Sequence, residues 1–394
     1  FADAVVDGIL GTGVKGELRK TALRLIEEIN AAGKPTLAID IPSGVEADTG
    51  RIASIAVRAD RTLALGLPKV GHFLGQGANA AGELLVDDIG IPHALLAGEG
   101  MRQSLITQDA AAKLLPPRAR DAHKGTCGRI LVLAGSLGMT GAAALAAEAA
   151  LRVGAELVTL AVPERIYPVL AAKLTEAMVV PIPDDGTGYF GGMKALEAGL
   201  ALAQKMDAVL VGPGLGRKPE TSEFVRLFAA DVKAPLVMDA DAIAAFTGHL
   251  DALRDLPQVP ILTPHLGEFA TLLGKEMDVI EDDLLGVARE AARAQQAVFV
   301  VKSACTIVVY PDGDAFFTTV GNAGMATAGA GDVLAGTIVG LMRQMESGMT
   351  PLVGVYAHGR AGDLAYERSG NGLVAGDILE LLPRALKELT NTTV

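Results

Sequence analysis

The sequence is poor in residues that several classes of function require. Among its 394 residues there is no tryptophan, aromatic residues make up 4%, and only two residues are cysteines. So few aromatic rings argue against a platform on which nucleic-acid bases stack. The cysteines, Cys127 and Cys305, provide neither a disulfide framework nor the spacing of a zinc site. We therefore expect a reducing, cytoplasmic location.

Basic residues are also scarce relative to acidic ones. The chain has 34 lysines and arginines against 46 acidic residues, which gives a formal net charge of −12. Because backbone binding to nucleic acid depends on clustered lysine and arginine, no nucleic-acid partner is expected. No apolar run approaches the roughly 20 residues of a membrane span, so no membrane contact is expected either.

The residues that are present indicate well-packed α/β structure. Half of them are hydrophobic, which supports buried sheets, and a chain of this length is expected to form two domains. Strands such as 35–41 alternate with helical patterns such as 18–32, as in parallel β-α-β units. Phe1 directly precedes an apolar strand, with neither a signal nor a transit peptide. That pattern predicts a chain whose beginning has been cut away.

A glycine-rich stretch at residues 322–341 is predicted to lead into a buried helix. Gly329, Ala330 and Gly331 let backbone N–H groups approach a ligand closely, and a helix N-terminus adds about half a positive charge. Together they predict an anion site that suits a phosphoryl group in transfer. Asp332 in the same place could accept a proton from an attacking hydroxyl. The alternative is that Asp332 only caps the helix.

Two shorter motifs follow the first two predicted strands. Asp7 lies in strand 4–10, which ends in Gly11-Thr12-Gly13, and Asp40 in strand 35–41 is followed by Ser43. Ligands of parallel sheets bind at the carboxyl ends of strands, so these are candidate binding residues. A tight turn and a strand-end cap remain the alternatives.

Further polar residues follow predicted strands in the second half of the chain. Asp239 and Asp241 follow strand 236–238 and could face a metal. Capping of the next helix, or support of other residues that contact the ligand, is favoured over a metal. Lys302 directly follows strand 297–301, where a phosphate contact is favoured over a solvated side chain. His265 and Glu268 come after another strand, where a structural hydrogen bond is the alternative to a substrate contact.

In their order, these motifs resemble a known family. From residue 104 onward, H-K-G-x-x-G at 123–128, P-H-x-G-E at 264–268, K-S-A-x-T at 302–306 and the 322–336 run are similar to NAD(P)H-hydrate dehydratases of the ribokinase-like fold. V-V-D-x-x-x-G-T-G at 5–13, D-I-P-S-G at 40–44, L-G-x-P-K at 65–69 and D-I-G-I-P at 88–92 resemble the second half of the NAD(P)H-hydrate epimerase domain. The resemblance implies a three-layer α/β domain with a mostly parallel sheet at 105–394, a linker at 98–104, and half of a Rossmann-like α/β domain at 1–97.

The resemblance also implies a reaction, namely dehydration of hydrated NADH or NADPH driven by ADP or ATP with Mg²⁺, in a homo-oligomer. Asp332 would be catalytic, over an anion hole at Gly329, Ala330 and Gly331, with Glu268 acting on Mg²⁺ through water. The substrate residues would be Ala142, Gly214, His265 and Asp332. The nucleotide residues would be Lys302, Ser303, Ala304, Cys305, Thr306 and Gly331.

For the N-terminal part, the resemblance implies epimerisation of the R and S hydrates. Asp40 would act in acid–base chemistry, and Asp7 and Ser43 would hold K⁺. The substrate loop would comprise Gly11, Thr12, Gly13, Val14, Lys15, Gly16 and Glu17. The family's N-G-G-D-G loop and its potassium-binding Asn are not in this sequence, so a packing role for this part is the alternative. For the whole chain, a small-molecule kinase and a non-catalytic nucleotide-binding module also stay open.

Overall fold

A computed structural model describes residues 2–92, 95, 100–118 and 128–391. The chain forms two compact units. The first comprises Phe1–Arg102 and Glu276–Val287, and the second comprises Gln103–Lys275 and Ala288–Val394. The domain limits at 97 and 105 stay predictions of the sequence. Within the described ranges, no helix combines the length and apolarity needed to cross a bilayer.

The first unit is built on a four-stranded parallel sheet. Its strands pair in chain order: β1 (Val5–Asp7), β2 (Thr36–Ile39), β3 (Arg61–Leu65) and β4 (Glu83–Asp87). Helix α1 (Lys20–Ala32) connects β1 to β2, and α2 (Gly75–Ala80) precedes β4. Because the strands are parallel, their carboxyl ends share one edge of the sheet, and Asp7 and Asp40 lie there.

The second unit is built on a ten-stranded sheet of order β5-β14-β13-β12-β11-β10-β9-β6-β7-β8. Strand β13 is antiparallel to β12 and β14, and the other pairs are parallel. The strands are β5 (Gln103–Ile106), β6 (Arg129–Leu133), β7 (Leu157–Pro163), β8 (Met178–Ile182), β9 (Ala208–Val211), β10 (Leu236–Met238), β11 (Ile261–Leu262), β12 (Val298–Val301), β13 (Ile307–Val309) and β14 (Ala315–Thr318).

The sheet of the second unit has helices on both faces, which makes three layers. Ile130 and Val132 of β6 share one buried cluster with the alanines of α4 and with residues of α12–α14. Leu133 points the other way, toward Gly199 of α6. The helices from α3 onward are α3 (Gln108–Leu114), α4 (Thr140–Arg152), α5 (Tyr167–Lys173), α6 (Gly192–Ala203), α7 (Pro219–Asp231), α8 (Asp241–Ala244), α9 (Leu266–Leu273), α10 (Met277–Asp282), α11 (Leu284–Gln295), α12 (Ala330–Leu341), α13 (Thr350–Ser369) and α14 (Ala375–Asn391).

Helix α12 packs against α4 through small residues. A Cβ added to Gly336 would lie 2.2 Å from the Ala146 carbonyl oxygen, and one added to Gly340 would lie 2.7 Å from that of Ala150. Only glycine permits such close backbone contact. The contact fixes the first turn of α12 next to α4, so the glycine loops that precede the two helices face one region.

Candidate active site

Five adjacent parallel strands, in the order β12-β11-β10-β9-β6, end at one edge of the second unit's sheet. The residues that follow them are Lys302 after β12, the segment 263–265 after β11, Asp239 after β10, the loop 212–216 after β9 and the loop 134–139 after β6. Ligands of open α/β sheets bind at this edge. Most of the predicted dehydratase residues are therefore brought together.

The N-terminus of α12 has the geometry of an anion site. Gly329 is its N-cap, with a left-handed φ of 90° that favours glycine. A Cβ on Gly331 would lie 3.1 Å from Nζ of Lys302, so an ammonium group stands directly beside the first turn. Asp332 is the third residue of the helix, and the N-cap makes no side-chain bond. The alternative that Asp332 serves as the N-cap is therefore wrong.

Asp332 lies close to this loop and has unusual proton affinity. Its Oδ2 lies 3.9 Å from where a Cβ of Gly329 would be. Burial raises the pKa of Asp332 to about 7, the Asp239 carboxylate adds to the rise, and Lys302 opposes it. A carboxyl group whose pKa lies near the working pH can both accept and return a proton. This combination of burial and charge is typical of functional sites.

A buried histidine supports the same helix start. Nε2 of His358, on α13, lies 2.9 Å from the carbonyl oxygen of Ala330. A carbonyl oxygen can only accept, so Nε2 carries the proton and donates it. Burial lowers the pKa of His358 to about 4, so the ring is neutral at neutral pH. It holds the first turn of α12 without adding charge, and no sequence motif had singled it out.

Lys302 is anchored by a buried carboxylate. Its Nζ donates to Oδ1 of Asp239 at 2.9 Å, and the hydroxyl of Thr263 donates to the same oxygen at 2.6 Å. The side chain of Asp239 is 2% exposed and that of Lys302 is 20% exposed. Burial by itself lowers the pKa of Lys302, but the carboxylates of Asp239 and Glu268 outweigh it and raise the pKa. The ammonium group therefore stays charged inside the site.

The segment predicted to hold the adenine nucleotide is a turn between β12 and β13. Within it, Lys302, Ser303 and Thr306 are half-buried and Ala304 is exposed. The Ser303 hydroxyl donates to the carbonyl oxygen of Cys305 at 2.6 Å, which closes the turn. Burial raises the pKa of the Cys305 thiol to about 12, so Cys305 is an unreactive packed residue. Nucleotide contact by this turn stays a prediction.

Two predicted substrate residues meet, Ala142 in the first turn of α4 and Gly214 in the loop after β9. A Cβ on Gly214 would lie 3.1 Å from Cβ of Ala142, and the φ of Gly214 is 64°. The hydroxyl of Ser136 donates to the carbonyl oxygen of Gly214 at 2.8 Å, which joins the loop after β6 to the loop after β9. The predicted H-K-G segment at 123–125 lies outside the described residues, as does Cys127.

Asp239 and Asp241 join strands and loops, and the capping alternative is wrong for both. Helix α8 begins after Ala240 without a side-chain cap. Oδ2 of Asp241 accepts from the N–H of Gly216 at 2.8 Å, and its Oδ1 accepts from Nε of Arg217 at 3.0 Å. Across the described ranges, no group of three or more histidine, cysteine or acidic side chains is arranged to hold a metal.

His265 and Glu268 form a capping box at the start of α9. Nδ1 of His265 accepts from the N–H groups of Gly267 and Glu268 at 3.1 and 3.3 Å, and Oε2 of Glu268 accepts from the N–H of His265 at 2.9 Å. This structural use was the alternative weighed for His265. The Nε2 of His265 lies 3.5 Å from Oε1 of Glu268, and the imidazole is still 59% exposed. Its substrate contact stays a prediction.

In the first unit, the predicted potassium residues lie together. Oδ1 of Asp7 accepts from the hydroxyl of Ser43 at 2.7 Å, and Oδ2 accepts from the N–H of Ser43 at 2.8 Å. Both residues are fully or almost fully buried. The hydroxyl of Ser43 accepts in turn from the N–H of Leu10 at 2.8 Å. The two side chains thus gather oxygen atoms at the start of the loop 11–17.

That loop leaves most of its predicted substrate residues accessible. Val14 is buried and Gly16 is half-buried, whereas the residues at 11–13, 15 and 17 are exposed. Oε1 of Glu46 accepts from the N–H of Gly16 at 2.9 Å and holds the loop. No Cβ added to Gly11 or Gly13 would meet a described atom within 4 Å. The space beside these two glycines is therefore open.

Asp40 has a strained backbone and a basic partner. Its φ is 69°, in the left-handed region that non-glycine residues rarely adopt, and such strain clusters at functional sites. Its carboxylate accepts from Nζ of Lys69 and, at 3.0 Å, from the N–H of Leu65. Nε2 of His72 donates to the Asp40 carbonyl oxygen at 2.9 Å. Lys69 belongs to the L-G-x-P-K motif at 65–69, and the sequence alone did not indicate its bond to Asp40.

Comparisons with known proteins agree with this geometry. Residues 130–384 match the family model described as NAD(P)H-hydrate dehydratase, and residues 1–71 match the one described as YjeF-related protein N-terminus. The bifunctional NAD(P)H-hydrate repair enzyme Nnr of Moorella thermoacetica is 42% identical over 391 residues, which is 99% of this chain and 74% of the relative. Its counterpart from Salinibacter ruber is 40% identical, over 97% of this chain and 71% of the relative.

The chain belongs to the family of bifunctional NAD(P)H-hydrate repair enzymes. Its structure is similar to that of the ADP/ATP-dependent NAD(P)H-hydrate dehydratase from Bacillus subtilis, co-crystallised with ATP/Mg²⁺. The TM-score is 0.63 and the identity 29%, over 74% of this chain and all of that one. For a ribokinase-like superfamily protein from Enterococcus faecalis, the TM-score is 0.62 and the identity 26%, over 74% of this chain and 97% of that one. The predicted fold class and family are thereby confirmed.

Proposed function

We propose that this chain repairs hydrated NADH and NADPH, and that its second unit dehydrates the S hydrate with ADP or ATP as phosphoryl donor. One observation carries the proposal. A buried carboxyl group with a pKa of about 7, Asp332, lies at a glycine-rich helix N-terminus that also faces the ammonium group of Lys302. A proton acceptor, amide donors and a fixed cation are the groups that phosphoryl transfer to a hydroxyl needs.

The proposed reaction has two steps, which are phosphorylation of the ring hydroxyl and elimination of the phosphate. Asp332 takes the proton from the ring hydroxyl while the hydroxyl oxygen bonds to the terminal phosphorus of the nucleotide, whose bridging P–O bond breaks. The N–H groups at 329–331 and Lys302 stabilise the charge that develops on the phosphoryl oxygens. The C–O bond then breaks, the phosphate leaves with the electron pair, and the adjacent ring carbon gives a proton to the departing phosphate, which restores the double bond.

Mg²⁺ fits the donor set of this site. Magnesium usually keeps several waters and binds one or two carboxylates together with substrate phosphates. The Glu268 carboxylate, 11% exposed at the start of α9, would hold it through water. When bound, the ion would neutralise charge on the phosphates. The residues of this chain would still have to orient the hydroxyl and remove its proton.

For the first unit, we propose that Asp40 moves a proton at the hydrate carbon during epimerisation of the R and S hydrates. The strained Asp40 backbone and its bond to Lys69 support this role. The oxygens of Asp7 and Ser43 fit K⁺, which binds oxygen donors, and the ion would fix substrate phosphates at the loop 11–17. These roles rest on the resemblance and on the contacts described above.

Purified S hydrate incubated with ADP, or with ATP, tests the dehydratase proposal. Return of the reduced-nicotinamide absorbance, together with release of phosphate, is the expected result. A small-molecule kinase of the same fold would instead accumulate a phosphorylated hydrate without that absorbance.

The same assay on Asp332→Ala should show lost turnover with ADP binding retained. Asp255→Asn, which changes an exposed carboxylate, is the matched control and should keep wild-type turnover. Unchanged turnover in Asp332→Ala would rule out the proposed role of this residue.

A further inference from the structure

The carboxylate of Asp239, which directly follows β10, is a buried charged group that has no direct part in the proposed reaction. Asp239 is 1% exposed, and burying a carboxylate is costly unless it is paired and hydrogen-bonded. Its partners are Nζ of Lys302 and the hydroxyl of Thr263, both at Oδ1. Thr263 follows β11 and Lys302 follows β12, so the cluster joins the ends of β10, β11 and β12.

The position of Lys302 explains what this cluster can do. Its Nζ lies 3.1 Å from where a Cβ of Gly331 would be, at the loop that would bind the phosphoryl group. A lysine side chain is flexible, and holding its ammonium at one point costs rotamer entropy. The ammonium has three N–H donors. Asp239 takes one, which leaves two for the oxygens of a phosphoryl group beside α12.

Charge balance supports the same assignment. With Asp239 ionised, the buried ammonium of Lys302 is neutralised before any anion enters, whereas an unpaired buried cation is strongly destabilising. The charged groups that act on Asp332 are Asp239, Asp241, Glu268 and Lys302. Asp239 therefore acts on both members of the proposed catalytic pair.

We propose that Asp239 is a positioning residue for the dehydratase reaction: it fixes the Lys302 ammonium at the Gly331 turn, with Thr263 holding Asp239 in place. This inference rests on the proposed function. Asp241, two residues later, binds Gly216 and Arg217 instead, so the neighbouring carboxylates support opposite sides of the site.

A double-mutant cycle tests whether Asp239 acts through Lys302. Asp239→Asn should lower kcat at least ten-fold, and Lys302→Met should lower it further. In the Lys302→Met background, Asp239→Asn should change kcat less than two-fold, because residues that act as a unit are not additive. Asp241→Asn should keep its own effect in that background. Equal effects of Asp239→Asn in both backgrounds, or wild-type kcat in the single variant, would overturn the proposal.

The pH profile separates positioning from a merely structural role. Removing the Asp239 charge removes the largest electrostatic contribution that raises the pKa of Asp332. The acid limb of the kcat profile should therefore move to lower pH in Asp239→Asn. A uniform loss at all pH values, with the limb unmoved, would contradict the proposal. If Asp239→Asn does not fold, Thr263→Val is the second variant, with a smaller loss that also disappears in the Lys302→Met background.

The rate of chemical acylation of Lys302 tests its anchoring by Asp239 independently of the proposed reaction. Without Asp239, the ammonium of Lys302 loses the carboxylate that most favours its charge. Acetic anhydride should then acylate Lys302 at least three-fold faster in Asp239→Asn than in wild type, with the exposed Lys233 unchanged, as measured by peptide mass spectrometry. An unchanged Lys302 rate refutes the anchoring even if the enzyme is active. A raised rate in a protein that does not act on the hydrate supports the anchoring and refutes only the proposed function.

Discussion

The raised proton affinity of Asp332 predicts a pH-dependent gain in stability when its charge is removed. The folded-state pKa is about 7, against an ordinary value of 3.8. A carboxyl group whose pKa is raised by folding stabilises the fold at low pH, and that stabilisation is lost as the pH rises through about 7. Asp332→Asn has no proton to lose and should not show this decline.

The size of the effect follows from the pKa. Between pH 5 and pH 8, the unfolded carboxyl group is already ionised, while the folded one titrates about two units above the lower pH. At about 1.36 kcal/mol per unit, the wild-type fold loses about 3 kcal/mol through this residue. Asp332→Asn should therefore gain about that much relative to wild type over the same interval. The contribution of His358 is common to both proteins and cancels.

Urea unfolding at pH 5 and pH 8 measures this difference, with the transition of the second unit followed by circular dichroism. Asp255→Asn, on the surface, is the control and should run parallel to wild type at both pH values. Parallel behaviour of Asp332→Asn as well would mean that Asp332 is ionised at pH 5, and the argument that this carboxyl is a neutral-pH proton acceptor would fail.

Three further predictions follow from particular contacts. Gly331→Ala should lower kcat about ten-fold without unfolding, because its methyl group would lie 3.1 Å from Nζ of Lys302 and displace it; unchanged kcat would count against the anion site. Cys305 in a Cys127→Ser background should react with a thiol reagent only after denaturation, since burial raises its pKa to about 12; prompt labelling of the folded chain would contradict its burial. Asp40→Asn should stop consumption of R hydrate in an assay with ADP, where R hydrate must first be converted to S hydrate, while S hydrate is still consumed. Continued enzymatic use of R hydrate would exclude Asp40 from the proposed epimerase reaction.

Much of the fold could be predicted from the sequence because its strands are continuous apolar runs followed by glycine or charged residues. The runs at 236–238 and 297–301 predicted strands β10 and β12, and the structure has them within a residue of those limits. Strand β8 is not indicated by the sequence, because Pro181 and the glycines that follow it favour a loop. It lies at the edge of the sheet, where proline is tolerated.

The candidate site was predictable where chemistry and backbone conformation coincide in a short motif. Gly329 is such a case, since its left-handed φ of 90° favours glycine. The anchoring of Lys302 was not predictable, because Asp239 and Thr263 are far from it in sequence and meet it only through the order of the strands. His358 is a similar case: a lone histidine in an apolar helix gives no sign that it bonds to the carbonyl oxygen of Ala330.

The close contact between α4 and α12 has a consequence for how this enzyme can vary. Gly336 and Gly340 touch the carbonyl oxygens of Ala146 and Ala150, so one helix sets the other's position through main-chain atoms rather than adaptable side chains. A bulkier residue on either helix would tilt α12 and carry its first turn, with Asp332, away from the start of α4, where Ala142 lies. Attempts to widen substrate range should therefore leave this seam untouched and alter the loops that lead into it.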